Sequence, residues 1–198
     1  VRLVVDWDGT VTVRDSLLMV IQAFGDPTVE EELDAALEAG RMTHREVMEA
    51  EFATVRASLE DVVSYVVAHA EVRAGFRELV TAFDPLILSS SFHETIEPVL
   101  AREGVTAEVR ANRVEPAPDG WRIRWESDSQ CETCGEPCKR GSLPGGSVVY
   151  VGDGYSDRCA ALAADRVFAR AGLASYLDAA GVGYEPFETF FDVAAALS

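Results

Sequence analysis

Leu3-Val4-Val5-Asp6-Trp7-Asp8-Gly9-Thr10 drives an apolar, β-branched run straight into two carboxylates and a glycine. A run this short reads as a buried strand of a parallel sheet. In an open α/β sheet, the carboxyl end of such a strand is where ligands bind. Asp6 and Asp8 are two residues apart, so they share a face for as long as the extended backbone lasts. Paired carboxylates need a counter-charge, and a divalent cation that prefers oxygen ligands is the ready candidate. Asp-Gly is also a common turn pair, so this stretch alone leaves a plain surface turn open. The rest of the chain decides between them.

The chain has 198 residues, enough for one domain or one domain with an insertion, and enough to bury a real core. Its hydrophobic fraction of 48% excludes a disordered chain. No apolar stretch is long enough to span a membrane, and no secretory signal pattern is visible, so the expected location is the cytoplasm. A formal charge of −17 argues against a nucleic-acid partner, whose phosphates would be repelled. An anionic substrate then needs a locally positive site inside a negative molecule. Cys131, Cys134 and Cys138 cluster and Cys159 stands apart, which is not the pattern of a small disulfide scaffold.

Beyond Thr10, the residues Leu17, Leu18, Val20, Ile21 and Phe24 form a helical stripe that Gly25 stops. Thr28 to Glu31 reads as a capping box opening an acidic helix (Glu30, Glu31, Glu32) that Gly40 closes. Thr43 to Glu46 is a second box, Ser58 to Asp61 a looser start, and Arg73 to Phe83 a further helix. Residues 14–80 therefore read as a helical insertion between two strands of a parallel sheet. The sheet resumes at Leu86-Ile87-Leu88 and runs into Ser89-Ser90-Ser91, followed by a helix to about Glu103. Val109 to Trp125 reads as a hairpin around Pro116 to Gly120. Ser147 to Val151 is a second buried strand, entering Gly152-Asp153-Gly154-Tyr155-Ser156-Asp157; a helix, a short strand near Arg166 and a last helix near Phe191 to Leu197 follow. The expected fold is α/β: a Rossmann-like parallel sheet core (1–13 and 81–198) with a helical cap (14–80) inserted after the first strand.

Asp6 with Asp8, Ser89, Lys139, and Asp153 with Asp157 fall in this order at strand ends or in loops. Together they resemble the four motifs of the haloacid dehalogenase-like hydrolase superfamily, across nearly the whole chain. The helical insertion resembles the cap of its phosphoserine phosphatase-like branch. Leu88 to Phe92, the hairpin and Cys138-Lys139 look closest to the methionine-salvage enolphosphate phosphatase and phosphoethanolamine/phosphocholine phosphatase groups. The resemblance implies a Mg²⁺-dependent phosphatase acting on a small phosphomonoester. Asp6 would be the nucleophile, forming an aspartyl-phosphate. Asp8 would protonate the leaving alcohol and then activate water. Mg²⁺ would be held by Asp6, the Asp8 carbonyl and Asp153, with Asp157 in support. Ser89 and Ser90 would meet the phosphoryl oxygens, with Lys139 neutralising their charge. In phosphoserine phosphatases a Glu is expected near Asp15 to meet the substrate ammonium; the shorter acid here makes serine phosphate a poor expectation. Arg56 reads as an ordinary charge on the cap surface.

Cys131-x-x-Cys134-x-x-x-Cys138 offers three thiols to a structural Zn²⁺, with Cys159 as a fourth if the loops meet; a disulfide or free thiols are equally open. Two further functions fit the sequence. A phosphomutase or other phosphotransferase shares Asp6 and Asp8, although the helical cap disfavours it. A zinc-stabilised binding protein on a degenerate scaffold is disfavoured by the intact carboxylates and Lys139. The implied partner is a small phosphorylated metabolite, with neither nucleic acid nor membrane.

Overall fold

The strand read first is the centre of the sheet. β1 (Arg2–Val5) alternates its side chains between two separate cores: Leu3 and Val5 pack into one, Val4 into the other. A strand buried on both faces must be apolar at every position, which is why the run is continuous rather than alternating. The computed structural model describes residues 1–198, except for the side chain of Glu30; that part of the acidic patch lies outside the described residues.

After β1 come α1 (Ser16–Phe24), α2 (Glu30–Glu38), α3 (His44–Phe52), α4 (Leu59–His69) and α5 (Phe76–Phe83). Next are β2 (Leu86–Phe92), α6 (His93–Arg102), β3 (Glu108–Glu115) and β4 (Arg122–Arg124). The chain ends with β5 (Val148–Gly152), α7 (Arg158–Ala163), β6 (Arg166–Ala169), α8 (Ala171–Ala180), β7 (Glu185–Pro186) and α9 (Phe190–Leu197). The sheet order is β4-β3-β2-β1-β5-β6-β7, and every pairing is parallel except the β3–β4 hairpin. Chain order reverses at β1, between β2 and β5, so the crevice for a ligand opens beyond the ends of these three strands.

The chain leaves the sheet and returns at one place. Thr12 bridges Val72, Val13 N–H donates to the Glu71 carbonyl and Arg73 N–H to the Val11 carbonyl, the last two at 2.9 and 2.8 Å. Helices α1 to α4 lie between. Phe52, Val62 and Val66 from these helices join Phe92, Ile96 and Trp121 in the larger core, so the inserted helices are seated on the sheet domain through continuous apolar packing.

Local signals decide most helix starts. Thr43 and Glu46 form a reciprocal capping box, and Ser58 accepts from Asp61 N–H at 3.1 Å. Two expectations are corrected. Thr28 does not cap α2, because its N–H and hydroxyl both turn back to Asp26, at 3.0 and 2.6 Å; α2 starts at Glu30 after Val29. Nor does the helix expected from Arg73 begin there. Gly75 takes a left-handed φ of +83°, which starts α5 at Phe76 and leaves Arg73 outside it. α8 and β7 lie between the short strand and the last helix, a stretch where the sequence reading placed no element.

Candidate active site

Asp6 follows directly on β1 and keeps an extended backbone, φ −70° and ψ 162°. Asp8 is also extended, at φ −73° and ψ 127°, so the two carboxylates still reach the same cleft although the strand has ended. The chain then closes one wide turn, with Thr12 N–H donating to the Trp7 carbonyl at 2.9 Å. Trp7 faces away into the core, edge-on to Phe76. Gly9 makes the turn with φ +72°, and a Cβ there would stand 2.2 Å from Asp153 Oδ2. Only glycine fits, both for the backbone angle and for the carboxylate beside it.

The structure brings Asp6, Lys139, Asp153 and Asp157 together. Carboxylate oxygens of the three aspartates lie within 4.8 Å of one another. Lys139 Nζ is buried between Asp6, to which it donates, and Asp157, at 2.7 Å. Asp157 is saturated: Lys139 and the Tyr150 hydroxyl (2.7 Å) donate to Oδ1, and the Asp153 and Gly154 N–H groups (2.9 Å each) donate to Oδ2. Burial alone would raise its pKa, but Lys139 and these further donors outweigh burial and hold it below the ordinary range. Asp153 is oriented by the Thr10 hydroxyl at 2.8 Å. Burial, then the charge of Asp157, pushes Asp153 up to about 6. The same two causes, in the same order, drive Asp6 well above the usual carboxylate range. For Lys139 the attraction of Asp157 and Asp6 overcomes burial and keeps it protonated.

Asp8 stands in a different environment. Its Oδ1 accepts from Ser16 N–H at 2.8 Å and from the Ser16 hydroxyl. Burial, then the nearby charge of Asp15, raises it to about 7. Both carboxylates are raised, but among different neighbours: Asp6 is bonded to Lys139 beside Asp157, whereas Asp8, bonded to Ser16, stands at about 7, where it can hold or release a proton at neutral pH.

β2 supplies the serines. Its pairing with β3 passes from Leu88↔Arg110 to Phe92↔Asn112, four steps on one strand against two on the other. The excess bulges Ser89 to Ser91 out of register, and Ser89 and Ser90 line the cleft beside Lys139. Asn112 Nδ2 holds the Ser90 carbonyl at 2.6 Å. Asp15 caps α1, accepting from Leu18 N–H at 2.9 Å, and also lines the cleft. Arg56 bonds the Ala53 carbonyl and stays outside it. The acid lobe encloses about 270 Å³ and has apolar walls from Leu17, Leu18, Leu37, Val47 and Met48. A second lobe of about 300 Å³ joins it at Ser89, Ser90, His44 and Lys139 and extends past Trp125 to Cys134.

Two contributors escaped the sequence reading. Tyr150 is a polar atom on a buried strand, and a buried tyrosine hydroxyl needs a partner; its position two residues before Gly152 was the available signal. Arg73 had none, because it looked like part of a helix. It is 8% exposed and spreads its guanidinium over backbone carbonyls: Nε to Thr10 (2.8 Å), Nη2 to Gly9 (2.7 Å) and Nη1 to Glu188 (3.3 Å). It therefore fixes the turn that carries Asp8. Arg73→Ala should cost about 2–4 kcal/mol in a denaturant titration, because several buried carbonyls lose their donor. Arg73→Lys should recover only part, since a point ammonium cannot span them. Unchanged unfolding midpoints in both variants would refute this role.

The Asp6–Asp8 turn, a buried lysine and an acidic cluster meet at the switch point of a parallel sheet, an arrangement able to hold a divalent cation and an anionic group. The haloacid dehalogenase-like hydrolase family model matches residues 3–162, and the chain belongs to that family. It is 32% identical to the 2-hydroxy-3-keto-5-methylthiopentenyl-1-phosphate phosphatase of Geobacillus kaustophilus (strain HTA426), over 97% of this chain and 93% of that protein. To the protein of the same name from Bacillus cereus (strain B4264) it is 25% identical, over 100% of this chain and 95% of that one. Its fold is similar to that of a phosphoserine phosphohydrolase-like protein from Francisella tularensis subsp. tularensis SCHU S4 (TM-score 0.70, 18% identity, 100% and 99% of the two chains). It is also similar to that of phosphoserine phosphatase from T. onnurineus (TM-score 0.69, 20% identity, 97% and 91%). The chain is a phosphomonoester hydrolase on a phosphoserine phosphatase-like scaffold. Among the described residues, no helix is long and apolar enough to cross a membrane.

Proposed function

We propose that this phosphatase is Mg²⁺-dependent, works through an aspartyl-phosphate on Asp6, and hydrolyses a small phosphomonoester with an uncharged, partly apolar leaving group. The observation that carries the reading is the Asp6–Lys139–Asp157 cluster with Asp153 beside it. Three carboxylates against one ammonium leave a buried excess of negative charge, and the donors are all hard oxygens. That set fits Mg²⁺. Asp6, Asp153 and the Asp8 carbonyl would hold the ion, and Asp157, with both oxygens already engaged, would fix Lys139 and the Asp153 loop. When bound, Mg²⁺ neutralises phosphoryl charge.

The protein's own groups do the rest. Asp6 attacks phosphorus, Lys139 offsets charge on the phosphoryl oxygens, and Ser89 donates to one of them. Asp8 gives its proton to the leaving oxygen and later takes one from the attacking water. Helices α1 to α4, inserted between Val13 and Glu71, act as a cap that limits substrate size and excludes bulk water. Asp15 and Asp34 on the cleft wall repel an anionic leaving group, while Leu17, Leu18, Leu37 and Met48 receive an apolar one. The named substrate of the relatives, an enol phosphate ending in a thioether, has these properties.

The test is kcat/KM across a panel in Mg²⁺ and in excess chelator: that enol phosphate, phosphoserine, phosphoethanolamine, a phosphopeptide and an oligonucleotide. The enol phosphate should exceed phosphoserine and phosphoethanolamine by at least about tenfold, the cost of seating an ionic group against the apolar wall of Leu17, Leu18, Leu37 and Met48, and turnover should vanish in chelator. Equal or better turnover of phosphoserine or of either large substrate would overturn the reading.

A further inference from the structure

All four cysteines of the chain meet at one point. Cys131, Cys134 and Cys138 belong to the irregular segment between β4 and Lys139, and Cys159 belongs to the first turn of α7. Their sulfurs lie within 4.8 Å of one another, and all four are free thiols. We propose that these four thiolates form a structural Zn²⁺ site that fastens the Lys139 segment to the Asp157 loop.

The local chain is folded for this. The Gln130↔Pro137 bridge, Cys131 N–H to the Glu136 carbonyl (2.9 Å) and Gly135 N–H to the Cys131 carbonyl (2.8 Å) make a tight knuckle. Gly135 supplies the left-handed corner, φ +76°. The knuckle presents two sulfurs of a C-x-x-C turn to one side, the spacing of tetrahedral zinc sites. Thr133 N–H points at Cys131 Sγ at 3.4 Å, a donor that favours a thiolate. Zinc–thiolate bonds of about 2.3 Å place tetrahedral sulfurs about 3.8 Å apart, a spacing compatible with four sulfurs that all lie within 4.8 Å of one another.

The location gives the site a purpose. Cys138 immediately precedes Lys139, and Cys159 is two residues beyond Asp157, while Lys139 and Asp157 bond each other at 2.7 Å. The segment 125–138 has no helix or strand to order it, yet it must deliver a buried ammonium accurately. A metal cross-link removes the conformational freedom of such a segment. Zinc would position Lys139 from behind without touching substrate.

The first test needs no activity. Protein purified without chelator should carry about one zinc per chain, and its Co²⁺-exchanged form should show the visible and sulfur charge-transfer bands of a tetrahedral cobalt thiolate. Cys159→Ser should keep the far-ultraviolet circular dichroism of the parent. Against a chromophoric chelator it should hold zinc at least about tenfold more weakly, since even outer partners of a metal are worth that much. If that variant does not fold, zinc content and the cobalt spectrum of the parent decide alone. Zinc removal, with Mg²⁺ restored, should speed amide exchange over 126–142 and leave β1 and β5 protected. Absence of zinc, iron in its place, two disulfides by mass spectrometry, or undiminished zinc affinity in Cys159→Ser would overturn the site. Unchanged exchange over 126–142 would overturn its positioning role.

Discussion

Asp6→Asn should lower kcat by at least about 10⁴-fold, because an amide in place of the carboxylate removes the attacking oxygen and no neighbouring group replaces it. Asp8 is held by Ser16, Asp153 by Thr10, and Asp157 by four donors. The fold should survive. Lys139 keeps Asp157 as a partner at 2.7 Å, so no buried charge is stranded. In metal-free protein the variant should be no less stable than the parent. Asp6 is charged there at a cost, through burial and then the repulsion of Asp157, and the amide removes that cost. Melting temperature and phosphate release, measured on the same sample, check both halves. Loss of activity with loss of fold would make Asp6 a structural residue, and retained turnover would remove it from the chemistry.

Asp8→Asn should divide substrates by leaving group. Proton donation is worth about 10²–10⁴-fold, and it matters most when the departing oxygen is a poor leaving group. An alkyl phosphate should therefore lose the full factor. An activated aryl phosphate should still form phosphoenzyme readily and then stall, since the same residue must activate water in the second half. A pKa of about 7, set by burial and then by Asp15, would let one carboxyl serve both directions. The check is the slope of log kcat/KM against leaving-group pKa. It should be steeper in the variant, and an equal loss for every ester would contradict proton donation by Asp8.

Much of this was legible in the chain because the deciding signals are local. Leu3 to Val5 and Val148 to Val151 are too apolar to be anything but strands buried on both faces, and each ends in aspartates at the switch point. Ser58 and Thr43 announce their helices by side-chain chemistry that needs no distant partner. What escaped depends on pairing across the chain. Arg73 reads as helical until Gly75 turns left-handed, and its true partners are carbonyls more than sixty residues earlier. Tyr150 has meaning only once Asp157 folds back over it. Thr28 has the right spacing for a cap, but Asp26 offers a nearer acceptor. Cys159, by contrast, is legible as a fourth thiol if the loops meet, and the fold brings it from α7 to the other three.

The central claim is that a phosphoryl group rests on Asp6. Its most direct test is acid quench of Asp8→Asn during turnover of an aryl phosphate labelled in the phosphoryl group, followed by borohydride reduction and peptide mass spectrometry. Label should stay with the protein at up to one equivalent per chain, and reduction should convert residue 6 alone to homoserine. Steady phosphate release with no label on the protein, or label and homoserine at any other residue, would contradict the account.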